Sequence, residues 1–295
     1  MKSKKIKHSP AERIFLTVNI LLITLISFLC LFPFLHELAI SFSDGASVMA
    51  GNVFITPKGF QTEAYKKVFE TGSMWRSLGF TAALTAGYTL LALALTVLCA
   101  YPLSRRRLVG GKAVMMFITV TMYFNAGTIP TYLLVYNLGL INKVWALVLP
   151  CTINTFNMIM MRTFFRQIPA ELEEAAKIDG CNDFQVLRSV MLPVSKPIIA
   201  TLALFYAVQR WNAFSDALYY INDPKLYPLQ LKLQQIIQQG QADNMMSDIN
   251  SQLDVVVPKT VQAASIIFAT VPILIVYPKL QKYFVKGVMI GAVKG

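Results

Sequence analysis

The chain has 295 residues, of which 55% are hydrophobic and only 14% are charged. A soluble domain carries about 25% charged residues, so this chain has too few polar side chains to cover a fold of this length in water. The net charge of +12 comes from short basic clusters beside long apolar runs. This pattern indicates membrane orientation and not nucleic-acid binding.

Six apolar stretches are long enough to cross a bilayer, which requires about 20 residues of helix. The run after the basic N-terminus is too long for a signal peptide and lacks a small-residue cleavage site, so we interpret it as an uncleaved first span. The sequence therefore predicts an all-α, polytopic membrane protein, with a transmembrane domain at 14–281 between tails at 1–13 and 282–295. The predicted spans are about 14–35, 78–102, 113–136, 144–161, 198–218 and 261–277.

Two predicted spans contain helix-breaking or charged residues. The third includes Asn125–Pro130, and because proline lacks an N–H and clashes with the preceding turn, we expect a bend or break near Pro130. This interruption is either irregular backbone lining a pathway or the end of the span followed by an external loop. The fifth span includes Arg210 and Asp216.

Lysine and arginine are unevenly distributed between the loops of this six-span arrangement. With the N-terminus inside, the inner segments hold 18 of the 27 basic residues and six acidic ones, whereas the outer segments hold eight of each. The positive excess then lies on one side, as the positive-inside rule requires. We expect a multi-pass protein of the cell membrane with both termini in the cytoplasm and a long inner loop at 162–197.

The loop at 162–197 contains a run that predicts two short helices. Pro169 suits a first helical turn, and glutamates follow it at the positive end of the helix dipole. Gly180 stands where a left-handed residue ends a helix, and Asn182 or Asp183 can cap the next one. We expect another protein to dock on a face of small residues in this loop. That face comprises Leu172, Ala175, Ala176, Ile178 and Gly180.

The spacing within this loop is distinctive. Glu174-Ala175-Ala176 is followed by Gly180 and then by Val190-Met191-Leu192-Pro193. This run resembles the EAA loop of permease subunits of bacterial ATP-binding-cassette (ABC) importers, with Val190 in place of the usual isoleucine. The resemblance implies contact with an ATPase subunit through the residues of the motif. These are Glu174, Ala175, Ala176, Asp179, Gly180, Leu192 and Pro193.

Further motifs are similar to the carbohydrate branch of these permeases, the maltose-type family, and within it to the second permease of complex-saccharide systems that work with a binding lipoprotein. They are Gly127–Tyr132, Leu138-Gly139-Leu140, Trp211-Asn212 and the ending Lys286–Gly295. The resemblance implies a type I ABC importer permease fold. It also implies a second homologous permease, two ABC ATPase subunits and an extracytoplasmic solute-binding protein as partners.

No nucleotide site is expected in this chain. Gly110-Gly111-Lys112-Ala113 lacks the glycine spacing and the Ser/Thr of a phosphate-binding loop, and is interpreted as a flexible basic turn. The four cysteines form no CxxC pair, so no metal site is expected. The sequence contains no HExxH motif and no Ser/His/Asp pattern, so an enzyme is not expected. We therefore expect ATP and Mg²⁺ on the partner ATPase, with Glu174–Gly180 as a helix that couples ATP-driven closure to the spans.

The candidate substrate pathway rests on polar residues inside the predicted spans. An intramembrane cation is costly unless it faces a cavity or a partner, so Arg210 is a functional candidate. Trp211, Asn212 and Asp216 share its stretch and suit stacking on sugars and hydrogen bonding to their hydroxyls. Asn125 and Tyr132 are further candidates. Alternatively, Arg210 snorkels to the interface or pairs with the second permease.

Three other functions are compatible with a polytopic chain. A secondary transporter would carry acidic or histidine relays in its spans and has no reason to carry the 162–197 loop. An intramembrane enzyme would require catalytic residues that the sequence lacks. A permease for amino acids, phosphate or peptides within the same machinery is disfavoured only by the resemblance to the carbohydrate branch.

Overall fold

The computed structural model describes residues 9–70, 72–105, 107–124, 126–246 and 258–292, and in these ranges it contains helices and no strand. The all-α prediction is confirmed. The helices are α1 (Pro10–Ser41), α2 (Gly45–Met49), α3 (Glu63–Glu70), α4 (Gly72–Ser104), α5 (Gly111–Val120), α6 (Thr128–Asn137), α7 (Val144–Val148), α8 (Thr155–Gln167), α9 (Ala170–Ile178), α10 (Asp183–Val186), α11 (Leu192–Val194), α12 (Lys196–Asn212), α13 (Ser215–Tyr220), α14 (Leu229–Met246) and α15 (Pro258–Ala292).

The chain divides into two compact units. The first comprises the described residues within Met1–Thr71 and Ile236–Phe268. Its helix α1 begins with a capping box between Ser9 and Glu12, and the apolar side chains along its length are exposed, as expected for a helix that faces lipid. A small hydrophobic core holds the end of α1 against its neighbours. It consists of Ala39, Ile40, Val48, Val53 and Ala263.

The second unit comprises the described residues within Gly72–Gln235 and Ala269–Gly295. Its central element is α4, a helix of 33 residues that packs against α8 and α12. The helix contains no charged residue between Arg76 and its end at Ser104, so this part of it can be buried in protein or lipid. Arginines of α8 meet the last carbonyl groups of α4: Arg162 Nε donates to Leu103 O at 2.8 Å.

Several helices differ from the predicted spans. In the described residues, three helices are long and apolar enough to cross a membrane, or up to five if each bent helix pair is one span. The six-span count stays a prediction. The predicted third span is divided into α5 and α6, and Pro130 lies in the first turn of α6, where the missing N–H costs no hydrogen bond. The interruption therefore precedes Pro130 instead of being centred on it.

The fourth and fifth predicted spans are also interrupted. α7 continues as a 3₁₀ turn at Leu149–Cys151 and then meets α8 at an angle of 51°. In the fifth, α12 ends at Asn212 and α13 begins at Ser215, so the predicted helix 198–218 is not continuous. Between the fifth and sixth predicted spans, the chain forms α14 from Leu229 to Met246.

Candidate functional site

The segment with the EAA motif folds as a short helix with defined ends. α9 begins after Pro169, which is the N-cap and lies one position before the first turn that the sequence predicts for it. Glu171 and Glu173 occupy the first turn, beside the positive end of the helix dipole. α9 ends at Ile178, and Gly180 has a φ of +83°. Because only glycine adopts this left-handed conformation readily, the predicted glycine cap is confirmed.

A capped turn leads from α9 into α10. The Gln185 N–H donates to the Asn182 side chain at 2.9 Å, and the Asn182 N–H donates to the Gln185 side chain at 2.8 Å. This reciprocal capping box makes Asn182 the cap of the second helix. A π-helical turn follows at Leu187–Met191, and the axis then bends by 83° at Ser195 into α12. The segment therefore consists of short rigid pieces joined by defined turns.

The two faces of α9 have opposite environments. One face carries Glu173 and Ala176 and packs against the rest of its own unit, with Ala176 only 8% exposed. The other face carries Leu172, Ala175 and Ile178, and Ile178 is 86% exposed. The prediction that Ala176 belongs to an exposed docking face is therefore wrong. Consecutive helical residues lie about 100° apart, so Ala175 and Ala176 point in different directions.

Ala176 packs into the hydrophobic core that joins α9 to the rest of its unit. This core includes side chains from α4, α8 and the segment after α9, all buried. Its buried members include Tyr101, Leu103, Met161, Phe165, Val186, Leu187 and Met191. Such interiors are close-packed, so a small residue is required at position 176 for α9 to approach.

The other residues of the motif fall into two groups. Glu174, Asp179, Gly180 and Pro193 are exposed, and Asp179 is the C-cap of α9. Leu192 is half-buried and packs against the same core as Ala176. The motif therefore contains both residues that a second protein could reach and residues that hold the segment in place.

Charged side chains join α9 to the segment that follows α4. Arg105 forms an ion pair with Glu173, and the two side chains are only 16% and 12% exposed. Lys177 lies 3.0 Å from Glu173 and 3.4 Å from Asp183. Arg107 donates two hydrogen bonds to the Asp183 carboxylate, at 2.5 and 2.6 Å, but these side chains are 58% and 55% exposed.

Sequence reasoning missed this cluster because it assigned the basic residues at 102–112 to membrane orientation alone. The partners are 68 and 76 residues apart, and such separations leave no periodic signal. Hydrogen bonding to Arg107 lowers the pKa of Asp183 from its ordinary value of 3.8, and hydrogen bonding to Glu173 raises the pKa of Lys177. Asp183 and Lys177 are therefore both charged at neutral pH.

Arg210, the predicted intramembrane cation, is 4% exposed and pairs within the chain. Its guanidinium donates to the carbonyl oxygen of Leu147 at 2.7 Å and to the two carboxylate oxygens of Asp216 at 2.5 and 3.0 Å. Asp216 lies in the first turn of α13, so the pair bridges the break between α12 and α13. Arg210 also lies 5.9 Å from the centre of the Tyr88 ring. It does not snorkel to solvent.

Polar residues at this break line a small cavity. Arg210, Asn212 and Asp216 border about 280 Å³, together with Tyr88 and Cys151. The Asn212 amide donates to the Val208 carbonyl oxygen of its own helix at 3.0 Å, so its oxygen is directed elsewhere. The cavity therefore combines one ion pair with an exposed amide.

Trp211 borders a second cavity, of about 570 Å³, which is lined by apolar residues of α4, α12 and α15. Thr85 and Thr89 line the same cavity. Among the described residues, the indole N–H of Trp211 and the hydroxyl groups of Thr85 and Thr89 have no hydrogen-bond partner. These three polar atoms are themselves buried, and the surface of the cavity is almost entirely apolar.

Of the remaining candidates, Tyr132 stacks with Tyr136 at 6.5 Å and with Tyr220 of α13 at 6.2 Å. It borders neither of the two cavities. Asn125 lies outside the described residues. The structure thus brings Arg210, Asn212 and Asp216 together and separates Trp211 and Tyr132 from them.

The chain is similar to known proteins over nearly its whole length. LplC of Bacillus subtilis (strain 168) is 43% identical over 294 residues, covering 98% of this chain and 97% of LplC. The polygalacturonan/rhamnogalacturonan transport system permease protein YtcP of the same organism is 41% identical over 269 residues, covering 90% of this chain and 93% of YtcP.

A solved structure is similar over nearly the whole chain. It is a crystal structure of a bacterial ABC transporter involved in the import of the acidic polysaccharide alginate, with 34% identity and a TM-score of 0.85, covering 95% of this chain and all of the matched chain. Residues 92–290 match the family model for the inner membrane component of binding-protein-dependent transport systems. The chain therefore belongs to this family of transport permeases, as the EAA motif indicates.

Proposed function

We propose that this chain is the permease subunit of an ATP-driven importer that carries a carbohydrate into the cytoplasm. Its family consists of transport components and not of enzymes, so the energy must come from a partner. Both YtcP and the alginate transporter are named for acidic polysaccharides. Fragments of such polysaccharides are therefore the first substrate class to test.

The observation that carries this proposal is the geometry of α9. The helix is fixed to its unit by one face, while Leu172, Ala175 and Ile178 form an exposed apolar stripe on the other. An exposed apolar helix face of this kind suits the groove of a second protein. Defined turns at both ends of α9 allow it to move as one body. We assign α9 as the coupling helix, seated in a cleft of the ATPase.

In the proposed arrangement, six spans place both termini and the 162–197 loop in the cytoplasm, as the distribution of basic residues favours. The three long helices and the two bent pairs give at most five spans in the described residues. α5 and α6 would therefore have to form the sixth. The chain would pair with a second homologous permease. Two ABC ATPase subunits would bind inside with their ATP and Mg²⁺, and a solute-binding protein would deliver the sugar outside.

For the substrate pathway we propose the region around the break between α12 and α13. Asn212 offers an amide beside the Arg210–Asp216 pair, and Trp211 offers an aromatic face in the neighbouring cavity. Both chemistries suit sugar hydroxyls and sugar rings. Asn125 and Tyr132 would extend this pathway from the segment before and within α6.

Reconstitution tests the proposed function. The chain, its partner permease, the ATPase and the solute-binding protein are placed in liposomes, and uptake of a labelled oligogalacturonide is measured with a neutral malto-oligosaccharide of equal length as control. Uptake that requires ATP and every subunit is expected. Uptake by this chain without an ATPase would make it a secondary transporter. ATP-driven uptake of an amino acid, phosphate or a peptide, but of no sugar, would contradict the carbohydrate assignment.

Cysteine labelling tests the proposed orientation. In a background without the four natural cysteines, Ile178→Cys should react with a membrane-impermeant maleimide in inverted vesicles and not in right-side-out vesicles. Because Ile178 is exposed, a side chain at this position is accessible on whichever side of the membrane the loop faces water. The reverse pattern would place the loop outside the cell and remove the basis for coupling.

A further inference from the structure

The connections of α9 to the rest of its unit are few. Along the chain, α9 is separated from α8 by Ile168 and Pro169, and from α10 by the turn through Gly180. Neither junction is a continuous helix, so neither can transmit a displacement rigidly. Side chains on its inner face provide further links to the unit, namely the packed Ala176 and the ion pairs of Glu173 and Lys177.

Of the ion pairs that reach the segment after α4, one is largely shielded from water and one is exposed. Water surrounds Arg107 and Asp183, so their attraction is screened and their geometry can vary. Arg105 and Glu173 are shielded from water, and their attraction is correspondingly stronger. Removing Glu173 would leave the Arg105 guanidinium without its ion-pair partner, whereas removing Arg105 would leave Glu173 with Lys177 alone.

Arg105 is itself held firmly by α4. Its N–H donates to the carbonyl oxygen of Pro102 at 3.1 Å, which continues the last turn of the helix. Its guanidinium lies 4.4 Å from the centre of the Tyr101 ring, and Tyr101 meets Phe165 of α8 edge-on at 6.1 Å. The ion pair thus connects Glu173 to the end of α4.

α4 connects this pair to the proposed pathway. Arg105 lies 16 positions after Thr89, which corresponds to about 24 Å along a helix, and Thr89 lines the cavity that Trp211 also borders. Because α4 packs against α8 and α12 along this distance, it can carry a displacement as one body.

We infer that Arg105 and Glu173 form a positioning pair that transmits movement of the coupling helix α9 to α4. The inference deepens the proposed function and rests on it. The exposed pair of Arg107 and Asp183, which joins the segment after α4 to the start of α10, stabilises the loop but does not transmit the movement.

The test uses the complete reconstituted importer and compares matched variants of the two pairs. Arg105→Gln and Glu173→Gln are each measured beside Arg107→Gln and Asp183→Asn. The readouts are ATPase retained on the purified permease, ATP hydrolysis, and sugar transported per ATP hydrolysed. Breaking the Arg105–Glu173 pair should lower the amount of sugar transported per ATP about tenfold or more while ATPase binding persists. Breaking the exposed pair should change it by less than about twofold.

The charge reversal Arg105→Glu with Glu173→Arg provides the rescue. Recovery of transport per ATP in the double variant supports the positioning pair. An unchanged ratio in both single variants overturns it. If the single variants fail to assemble and reversal restores only assembly, the pair serves folding, and the inference is equally overturned. If the wild-type permease retains no ATPase at all, the proposed function fails instead.

Discussion

A buried arginine and a carboxylate meet at two interruptions of the chain, and the two pairs are built differently. Arg105 and Glu173 are far apart in sequence and join separate elements, while the opposite face of α9 stays open. Arg210 and Asp216 are six residues apart and close a break within one predicted span. The first pair links α9 to the segment that follows α4. The second keeps one irregular region in a single conformation.

The largest effect is expected at the second pair. Arg210→Ala leaves the Asp216 carboxylate largely buried without its partner, which should cost about 3–5 kcal/mol of stability. The thermal midpoint of the detergent-purified permease measures this loss. By contrast, Arg210→Met with Asp216→Leu should recover most of it, because apolar replacements of a buried pair are often neutral.

The same double variant separates two roles of the pair. Recovery of both stability and uptake would restrict Arg210 and Asp216 to bracing the break between α12 and α13. Recovery of stability without uptake would mean that one of them contacts the substrate. A normal thermal midpoint in Arg210→Ala would contradict the bracing role itself.

A second comparison uses the two faces of α9. Ala176→Leu should overfill the core and destabilise the permease by about 1–3 kcal/mol. Ala175→Leu, one position earlier, should leave the thermal midpoint unchanged and weaken retention of the ATPase on a permease affinity column. Equal thermal effects at both positions would show that the faces are not distinct.

Gly180 gives an intermediate effect. A Cβ there meets no other atom of the chain within 4 Å, but φ is +83°, so the cost of a side chain is backbone strain. Gly180→Val should cost about 1–2 kcal/mol and disturb the end of α9, lowering transport per ATP. Gly180→Asn should be milder, since asparagine tolerates this conformation. An identical loss of transport per ATP in the two variants would indicate a clash of the new side chain with the ATPase.

The exposed pair should give the smallest effect. Because Arg107 depresses the pKa of Asp183, any stability from this pair is complete above the unfolded-state pKa and is lost only as the pH falls through the lower folded-state value. Asp183→Asn should therefore shift the thermal midpoint by the same small amount at about pH 6 and about pH 8. A shift that differs between them would implicate another titrating group.

The sequence predicts features that depend on local chemistry. The glycine cap at Gly180 and the asparagine cap at Asn182 follow from their own conformational preferences. The position of the break before Pro130 cannot be predicted from such a preference, because a proline suits the first turn of a helix as well as an interruption of one. The break at residues 213–214 has neither proline nor glycine to signal it.

Features that depend on tertiary contacts are beyond the sequence pattern. Ala175 and Ala176 are identical in type, and only the packing of α9 decides which one is buried. The pairing of Arg105 with Glu173 joins loops that the membrane arrangement alone does not bring together. Arg210 and Asp216 are close in sequence, but the predicted continuous helix at 198–218 gave no reason to pair them.

Site-specific photo-crosslinking tests whether α9 is the element that the ATPase holds. A photoreactive residue is introduced at Ile178, on the exposed face of α9, and at Phe117, which is also exposed but lies in the predicted third span. In the assembled importer, the variant at 178 should crosslink to the ATPase and the variant at 117 should not. Crosslinking of position 178 to the solute-binding protein, or no crosslink to the ATPase from an active complex, would contradict the account.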